Sequence, residues 1–590
     1  MFSKRNQGIK ALFFTALCIL SNTYLFAQVS VKNIQSILEK NNLISDTQSC
    51  SVPFTMQKNE IATIPVYSEN DFKKVEPSKT TLFDIRCDIK LSQTVNFHSD
   101  KGIIIKGNGH KIYQTSKSTK KYIKKRLNYI SEYKEKINGT EVFTNSKGKL
   151  LRLSKTPIYK ALSWNFDEKS NTVRIQLPKE CKSWNINETD QVYINYEIWF
   201  TRQKDKVISA KDGILIFKVE NRYKPEGTFI SYTPAPCFYL ENMKQTRDGV
   251  LIKNNKIQYA AKYGSISLCK LQSLFIIDKQ TLLDCYDLKF GAGLECMVKN
   301  FGTARFQNCS FENAEASGIK SYNNLIVKNC HFQYITQNAI ITTPKSNSSI
   351  TYSTFKNIGK YGLNTACIQT LGNVYAAHNE FKDFNYSAFI LGNISTYHEE
   401  ELPISLIEYN KLSWSKRWQK QMQMLGLSDS GAIYVGTNNK HCTIRFNTIN
   451  NFGGHGSNRG IFCDDGAYNL SIYGNIVNKT ANSYDIDSRN CATITYRQTP
   501  KGYKFNTNNF ISYNICEKSI RVEGNSLEKE NKCYFIHNII IGNNTKEPQI
   551  RSKNNMTSKK SFLIDPYGKI NIKGKYHPSI NFLKIWNSLY

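Results

Sequence analysis

The chain has 590 residues, with 79 Lys and Arg against 47 Asp and Glu, a formal net charge of +32 at neutral pH. That length can bury a large core and would ordinarily imply about three or four domains, while a field of that sign attracts polyanions. No helix-turn-helix, zinc-finger or RNA-binding aromatic motif accompanies the charge, so nucleic acid is set aside and an acidic polysaccharide is the expected partner.

At the N-terminus, Lys4, Arg5 and Lys10 precede an apolar run from Ala11 to Ala27, and Leu25-Phe26-Ala27 before Gln28 makes a cleavage site. Residues 1–27 read as a cleavable signal peptide, so a secreted or periplasmic protein is expected. The run is short and carries Ser21, Asn22 and Thr23, and no second long apolar segment follows, which speaks against a membrane span. Leu17 before Cys18 is too large for a lipoprotein signal. A monomer is expected. Cleavage leaves 15 of the 16 Cys, with no Cys-x-x-Cys pair and no Cys/His cluster at zinc spacing. The odd number argues against a complete disulfide framework.

Residues 28–114 lead into strands. Cys87 to Leu91 and Gly102 to Ile112 read as an apolar strand, a Gly107-Asn108-Gly109 turn and a further short strand, the first coils of a solenoid. Residues 115–239 interrupt this pattern. Lys117 to Lys136 is strongly basic and reads as a solvated helix. Val173 to Tyr196 and Gly213 to Val219 read as antiparallel strands of an inserted β-rich subdomain.

Residues 240–551 form the main solenoid, with Val250–Asn254 and Leu274–Ile277 among its coils. From Thr303 a short phrase recurs: Asn, Ser or Cys, one residue, then usually a large apolar one. It stands at Cys309/Phe311, Cys330/Phe332, Ser353/Phe355, Asn379/Phe381, Asn410/Leu412, Asn447/Ile449, Asn475/Val477, Asn514/Cys516 and Asn538/Ile540. The steps are 21, 23, 26, 31, 37, 28, 39 and 24 residues. Variable steps above a floor predict coils that share a core strand and differ in their loops. The apolar members stack inward and the polar members form a ladder at a turn, with Cys309 and Cys330 buried in it as small apolar residues. Many β-branched residues, Asn and Gly, and no sustained 3.6 period, exclude helical repeats. Residues 552–590 break the ladder and read as a cap on its last edge.

The longest steps carry loops, and loops carry sites. Ser428 to Gly436 and Gly460 to Ala467 lie on successive coils, about 5 Å apart in a parallel sheet. Between them they offer Asp429, Tyr434, His441, His455, Arg459, Asp464 and Asp465, and Asp485, Asp487 and Arg489 follow one coil on. A uronate lyase needs a base and a charge neutraliser, which His441, His455, Tyr434 and Arg459 could supply. A glycosidase needs two carboxylates, for which Asp429, Asp464, Asp465 and Asp487 are candidates. Asp-Asp-Gly also makes a good bend by itself, and in a strand the two Asp would point to opposite sides. Asp464, Asp465 and Asp487 are oxygen ligands of the kind calcium takes, without any EF-hand spacing. In the long coil Trp414, Lys416, Arg417, Trp418 and Lys420 offer rings and cations to a sugar. The alternative is that Trp414 and Trp418, at i and i+4, form the apolar face of a packed helix.

The Gly-Asn-Gly phrase resembles the early coils of the pectate-lyase-like superfamily. Gly460-Ile461-Phe462-Cys463-Asp464-Asp465-Gly466, running into Ile472-Tyr473-Gly474-Asn475, resembles right-handed parallel β-helix enzymes of carbohydrate degradation, both polysaccharide lyases and glycosidases. The resemblance covers roughly Cys87–Ile112 and Phe238–Asn543. It implies an all-β, right-handed parallel β-helix, and a catalytic carboxylate at Asp464 or Asp465. The main expectation is a lyase acting on a uronate-containing, glycosaminoglycan-like polysaccharide, with Asp429, Lys416, Arg417, Trp418 and Arg489 binding substrate and no obligatory cofactor. A β-helix glycoside hydrolase is the alternative, and a non-catalytic glycan-binding solenoid is a third reading.

Overall fold

The computed structural model describes residues 60–114 and, with breaks at 360–364, 393–401, 425–429, 437–440, 455–457, 465–466, 468 and 481–483, residues 266–489. It also describes residues 52–56 and separate strands and turns between residues 123 and 260 and between 509 and 577. Residues 1–27, where the signal peptide is expected, lie outside the described residues.

The described strands build a parallel β-helix with three faces. The first face has 14 strands from Ile61–Val66 to Met556–Lys559, the second 15 and the third 12. The chain visits them in turn. Thr303–Gln307 is on the first face, Ser310–Glu312 on the second and Ser317–Ser321 on the third, and Leu325–Lys328 then returns to the first.

The recurring phrase sits where the first face turns into the second. Its apolar members occupy one register column: Phe311 pairs with Phe332, then Phe355, Phe381, Leu412, Ile449, Val477, Cys516 and Leu563 by way of Ile540. Phe290, Phe311, Phe332, Phe355 and Phe381 are stacked face to face at centroid spacings of 4.7–4.8 Å. That is the spacing of the strands themselves, so one ring per coil fills the core without a gap.

The polar members form a buried ladder. Nδ2 of Asn379 donates to Oδ1 of Asn410 at 3.0 Å, Asn410 to Asn447 at 3.0 Å, Asn447 to Asn475 at 3.1 Å and Asn475 to Asn514 at 3.0 Å. The same Oδ1 of Asn447 accepts from the backbone N–H of Asn410, and Asn447 Nδ2 also donates to the carbonyl of Ile407. Each carboxamide is thereby satisfied away from water. In the earlier coils Cys330 Sγ accepts from the Cys309 N–H, and Ser353 Oγ from the Cys330 N–H. All the described Cys are free thiols.

The structure corrects two boundaries and one element. Val250–Lys253 pairs antiparallel with Lys256–Ala260 and so belongs to the insertion, whose strands continue to Ile266–Leu268. The solenoid resumes at Phe275–Ile277, which lies directly on Val95–Phe97. A short alternating apolar run looks alike in either setting, and only its pairing partner distinguishes them. The basic stretch is not helical where it is described: Ile123–Lys125 and Asn128–Glu132 form an antiparallel pair, with Ile123 opposite Ile130. At the far end the parallel ladder reaches Phe562–Ile564, and the cap is the antiparallel strand pair Ile570–Ile572 and Lys575–His577. The antiparallel strands Thr172–Gln176, Gln191–Asn195 and Ile214–Lys218 lie where antiparallel strands are expected.

Gln114, 1% exposed, closes the insertion at its base. Its Oε1 accepts from the N–H of Lys270 and of Leu271 at 2.8 and 2.9 Å, so the chain leaves and re-enters at one point.

Replacing Asn447 with Ala removes the acceptor of the Asn410 N–H and carboxamide while both stay buried. The expected loss is about 2–4 kcal/mol, read as a lower denaturant midpoint by far-ultraviolet circular dichroism. An unchanged midpoint would show that the ladder carries no net stability.

Candidate functional site

The third face near Arg459 brings the expected residues closest together. Gly431–Gly436 and Arg459–Asp464 pair in parallel, with Ile433 beside Ile461, Tyr434 beside Phe462 and Gly436 beside Asp464. Ile433, Val435, Ile461 and Cys463 point into the core. Alternation then puts Tyr434, Phe462 and Asp464 on the outer face. There the Tyr434 hydroxyl donates to Oδ2 of Asp464 at 3.2 Å. The Tyr434 ring meets Phe462 edge-on at 5.5 Å and Tyr386 at 5.6 Å. The Arg459 guanidinium lies over the Phe462 ring at 4.0 Å. Gly431 is needed beside this group, because a Cβ there would come within 2.7 Å of the Phe462 side chain.

Tyr484–Arg489 is the next strand. Asp487 occupies the position beside Phe462, and Arg489 follows two residues on. Asp485 is fully buried and takes the Thr480 hydroxyl at 2.6 Å, which makes it structural.

The remaining expected residues fall elsewhere. His441 begins His441–Arg445 on the first face, beside Ile404, and so does not share the sheet of Tyr434 and Asp464. His455, Asp465 and Asp429 lie outside the described residues. Arg459 is not an open loop residue: it is 3% exposed and packed on Phe462. Trp418 is corrected outright as a sugar platform. It is 5% exposed, and its indole N–H donates to the carbonyl of Phe384 at 2.7 Å. Trp414 packs with Phe384 and Phe452 beside it. Trp418 is on the buried face of the helix Lys416–Met424, Trp414 is buried two residues ahead of that helix, and Lys416, Arg417 and Lys420 are on its exposed side. That helix crosses the corner between the second and third faces, where Gln419 Nε2 donates to the carbonyl of Gly453 at 2.9 Å.

Sequence reasoning missed a polar cluster on the first face. Arg445 Nε donates to Glu408 Oε2 at 2.6 Å and its Nη1 to the Tyr473 hydroxyl at 2.9 Å, while the Tyr375 hydroxyl donates to Glu408 Oε1 at 3.1 Å. Burial, then the adjacent Glu408 carboxylate, pushes the Tyr375 phenol up to about 12. Glu408, Arg445 and Tyr473 each stand two residues before a ladder Asn, and that shared offset was the signal. With both Glu408 oxygens engaged, the cluster ties neighbouring coils together.

Among the described residues no three His, Cys, Asp or Glu side chains come together to hold a metal. Among them, too, no helix is long and apolar enough to cross a membrane.

Residues 230–381 match the family described as "Right handed beta helix region". No curated protein sequence matches the chain. Among solved structures, one titled "Glycoside hydrolase" aligns with a TM-score of 0.45 and 10% identity, covering 82% of this chain and 89% of its own. The catalytic unit of a GH87 alpha-1,3-glucanase from Streptomyces thermodiastaticus strain HF3-3 aligns at 0.30 and 8%, covering 72% and 98%. XylC in complex with xylose aligns at 0.32 and 10%, covering 87% and 88%.

Trp418→Ala is expected to cost about 3–5 kcal/mol through the cavity it leaves, and Lys416→Gln with Arg417→Gln to leave stability unchanged. Thermal melts of both variants check this. A Trp418→Ala protein as stable as the parent would return Trp418 to the surface.

Proposed function

We propose that the protein is a glycoside hydrolase acting on an acidic polysaccharide, with Asp464 as one of its two working carboxylates. The observation that carries this is the hydrogen bond from Tyr434 to Asp464 on the outer face of the third sheet. A phenol donating to Oδ2 favours the ionised carboxylate, the form that draws a proton from an attacking water. Asp487 is the second carboxylate. Its backbone lies one strand over and about two residues back, about 8 Å from that of Asp464 by sheet spacing and strand rise. An inverting mechanism is proposed for the pair, with a water between the base and the acid that protonates the leaving oxygen. Asp464 takes the base role and Asp487 the acid role. Tyr434 holds Asp464 in position.

The same geometry weakens the lyase reading. Tyr434 is a poor base, because losing its proton would set two anions 3.2 Å apart. Arg459 lies against the Phe462 ring and is 3% exposed, against 9% for Asp464. His441 is on another sheet. The net charge of +32 supports an acidic substrate under either chemistry.

The test is incubation with a panel of uronate polysaccharides, with reducing ends and ultraviolet absorbance followed in parallel. New reducing ends without absorbance, and an inverted anomer by nuclear magnetic resonance, are expected. Asp464→Asn should lower turnover at least about 100-fold with the fold intact. Rising absorbance from a C4–C5 double bond would replace hydrolysis with elimination. Silence in both, with binding retained, would leave a non-catalytic glycan-binding solenoid.

A further inference from the structure

The turn between the first and second faces carries a feature that the hydrolase reading does not use. Its residue ahead of each ladder position is left-handed. In the early coils this residue is Asn308 (φ 54°) and Asn329 (φ 51°), a type that tolerates the conformation. In the next four coils it is Tyr352 (φ 53°), His378 (φ 58°), Tyr409 (φ 54°) and Phe446 (φ 55°). Aromatic residues are strained there, and the chain's own solution for the same turn is Asn. Backbone geometry therefore did not select the rings. Core packing did not either, since Tyr352 and Tyr409 are 54% and 42% exposed and His378 is exposed as well. Strain held at an exposed position points to a use.

The four rings form one stack along the solenoid, with centroids 4.9, 5.1 and 5.1 Å apart and planes within 6°, 4° and 23° of parallel. It ends at Gly474, where a Cβ would come within 2.6 Å of the Phe446 ring. Such a stack hides the ring faces against each other and turns the ring edges outward. Edges are the positive part of the aromatic quadrupole. They suit anionic groups better than the flat face of a neutral sugar. Lys356 and Lys382, adjacent in register on the second face, are exposed just past the turn, and neither makes an ion pair among the described residues.

We infer that this edge of the solenoid binds an acidic polysaccharide chain laid parallel to the solenoid axis, its carboxylate or sulfate groups set against the ring edges, the Tyr hydroxyls and the two lysines. The polymer class rests on the proposed hydrolase reading. The surface itself lies at a different corner from Tyr434 and Asp464, and would hold a polymer while another part of it is cut.

The test uses the full chain carrying Asp464→Asn, so that binding is read without turnover, and isothermal titration with polygalacturonate, chondroitin sulfate and neutral xylan. Tyr352→Asn with Tyr409→Asn relieves the strained turns, so these variants should melt no lower than the parent. They should bind the two acidic polymers at least about tenfold more weakly. Lys356→Gln with Lys382→Gln should weaken binding and flatten its salt dependence. Unchanged affinity in both pairs would overturn the inference, as would equal binding and equal loss with xylan. With Asp464 restored, the Tyr pair should cleave a short oligosaccharide at the parental rate. Loss of polymer binding in the Tyr pair alongside full turnover by Asp464→Asn would keep this surface and discard the hydrolase reading.

Discussion

The Asn ladder is the constraint on which the solenoid depends. Each carboxamide from Asn379 to Asn475 donates to the next side chain up the stack and to a backbone carbonyl, and each Oδ1 from Asn410 to Asn514 receives a backbone N–H. An unsatisfied buried amide costs about 1–3 kcal/mol, so a coil that misplaced its Asn would leave partners unpaired on both sides. The corner between the first and second faces therefore repeats coil after coil. The corner between the third and first faces carries a shorter side-chain ladder, in which Asn373 donates to Asn347 and Asn347 to Asn324, and the steps between positions of the long ladder range from 21 to 39 residues.

The two columns at this corner compensate for one another. Where the ladder consists of Cys309, Cys330 and Ser353, with single contacts between coils, the neighbouring column is Phe stacked on Phe. Where the ladder becomes Asn, that column passes to Leu412, Ile449 and Val477. Aromatic dispersion holds the lower coils in register, and amide hydrogen bonds hold the upper ones. The Tyr434–Asp464 pair lies on the upper coils, on the face opposite this seam, between strands whose loops are long.

The fold was legible because ladder and core members lie two residues apart in the chain and recur visibly despite uneven steps. The edges of the insertion were less legible, since Val250–Lys253 alternates like a solenoid strand and only its antiparallel partner reveals otherwise. In the site, alternation along Arg459–Asp464 put Asp464 on a definite side. Nearness along the chain misled for His441, which follows Gly436 closely but begins the next face after a corner. Composition misled for Trp418, because a ring beside Lys and Arg reads as a sugar platform while in the helix Lys416–Met424 it faces inward and bonds the Phe384 carbonyl. Arg459 looked open because Gly residues precede it, and no sequence signal told of the Phe462 ring beneath it.

The junction at Gln114 has a consequence for the order in which the chain assembles. Ile103–Lys106 lies directly on Leu283–Tyr286, so two touching coils are separated by the whole insertion. Above that junction each described strand through Tyr484–Arg489 meets one only 21 to 44 residues earlier in the chain. Closing a long loop costs more entropy than closing a short one, and local contacts form first. The coils beyond Phe275 can zip from their own neighbours, whereas the few N-terminal coils, which pair locally only with one another, join the rest once the insertion has brought its ends together. Synthesis runs from the N-terminus and growth of the solenoid begins beyond the insertion, so the first coils made are the last to be secured.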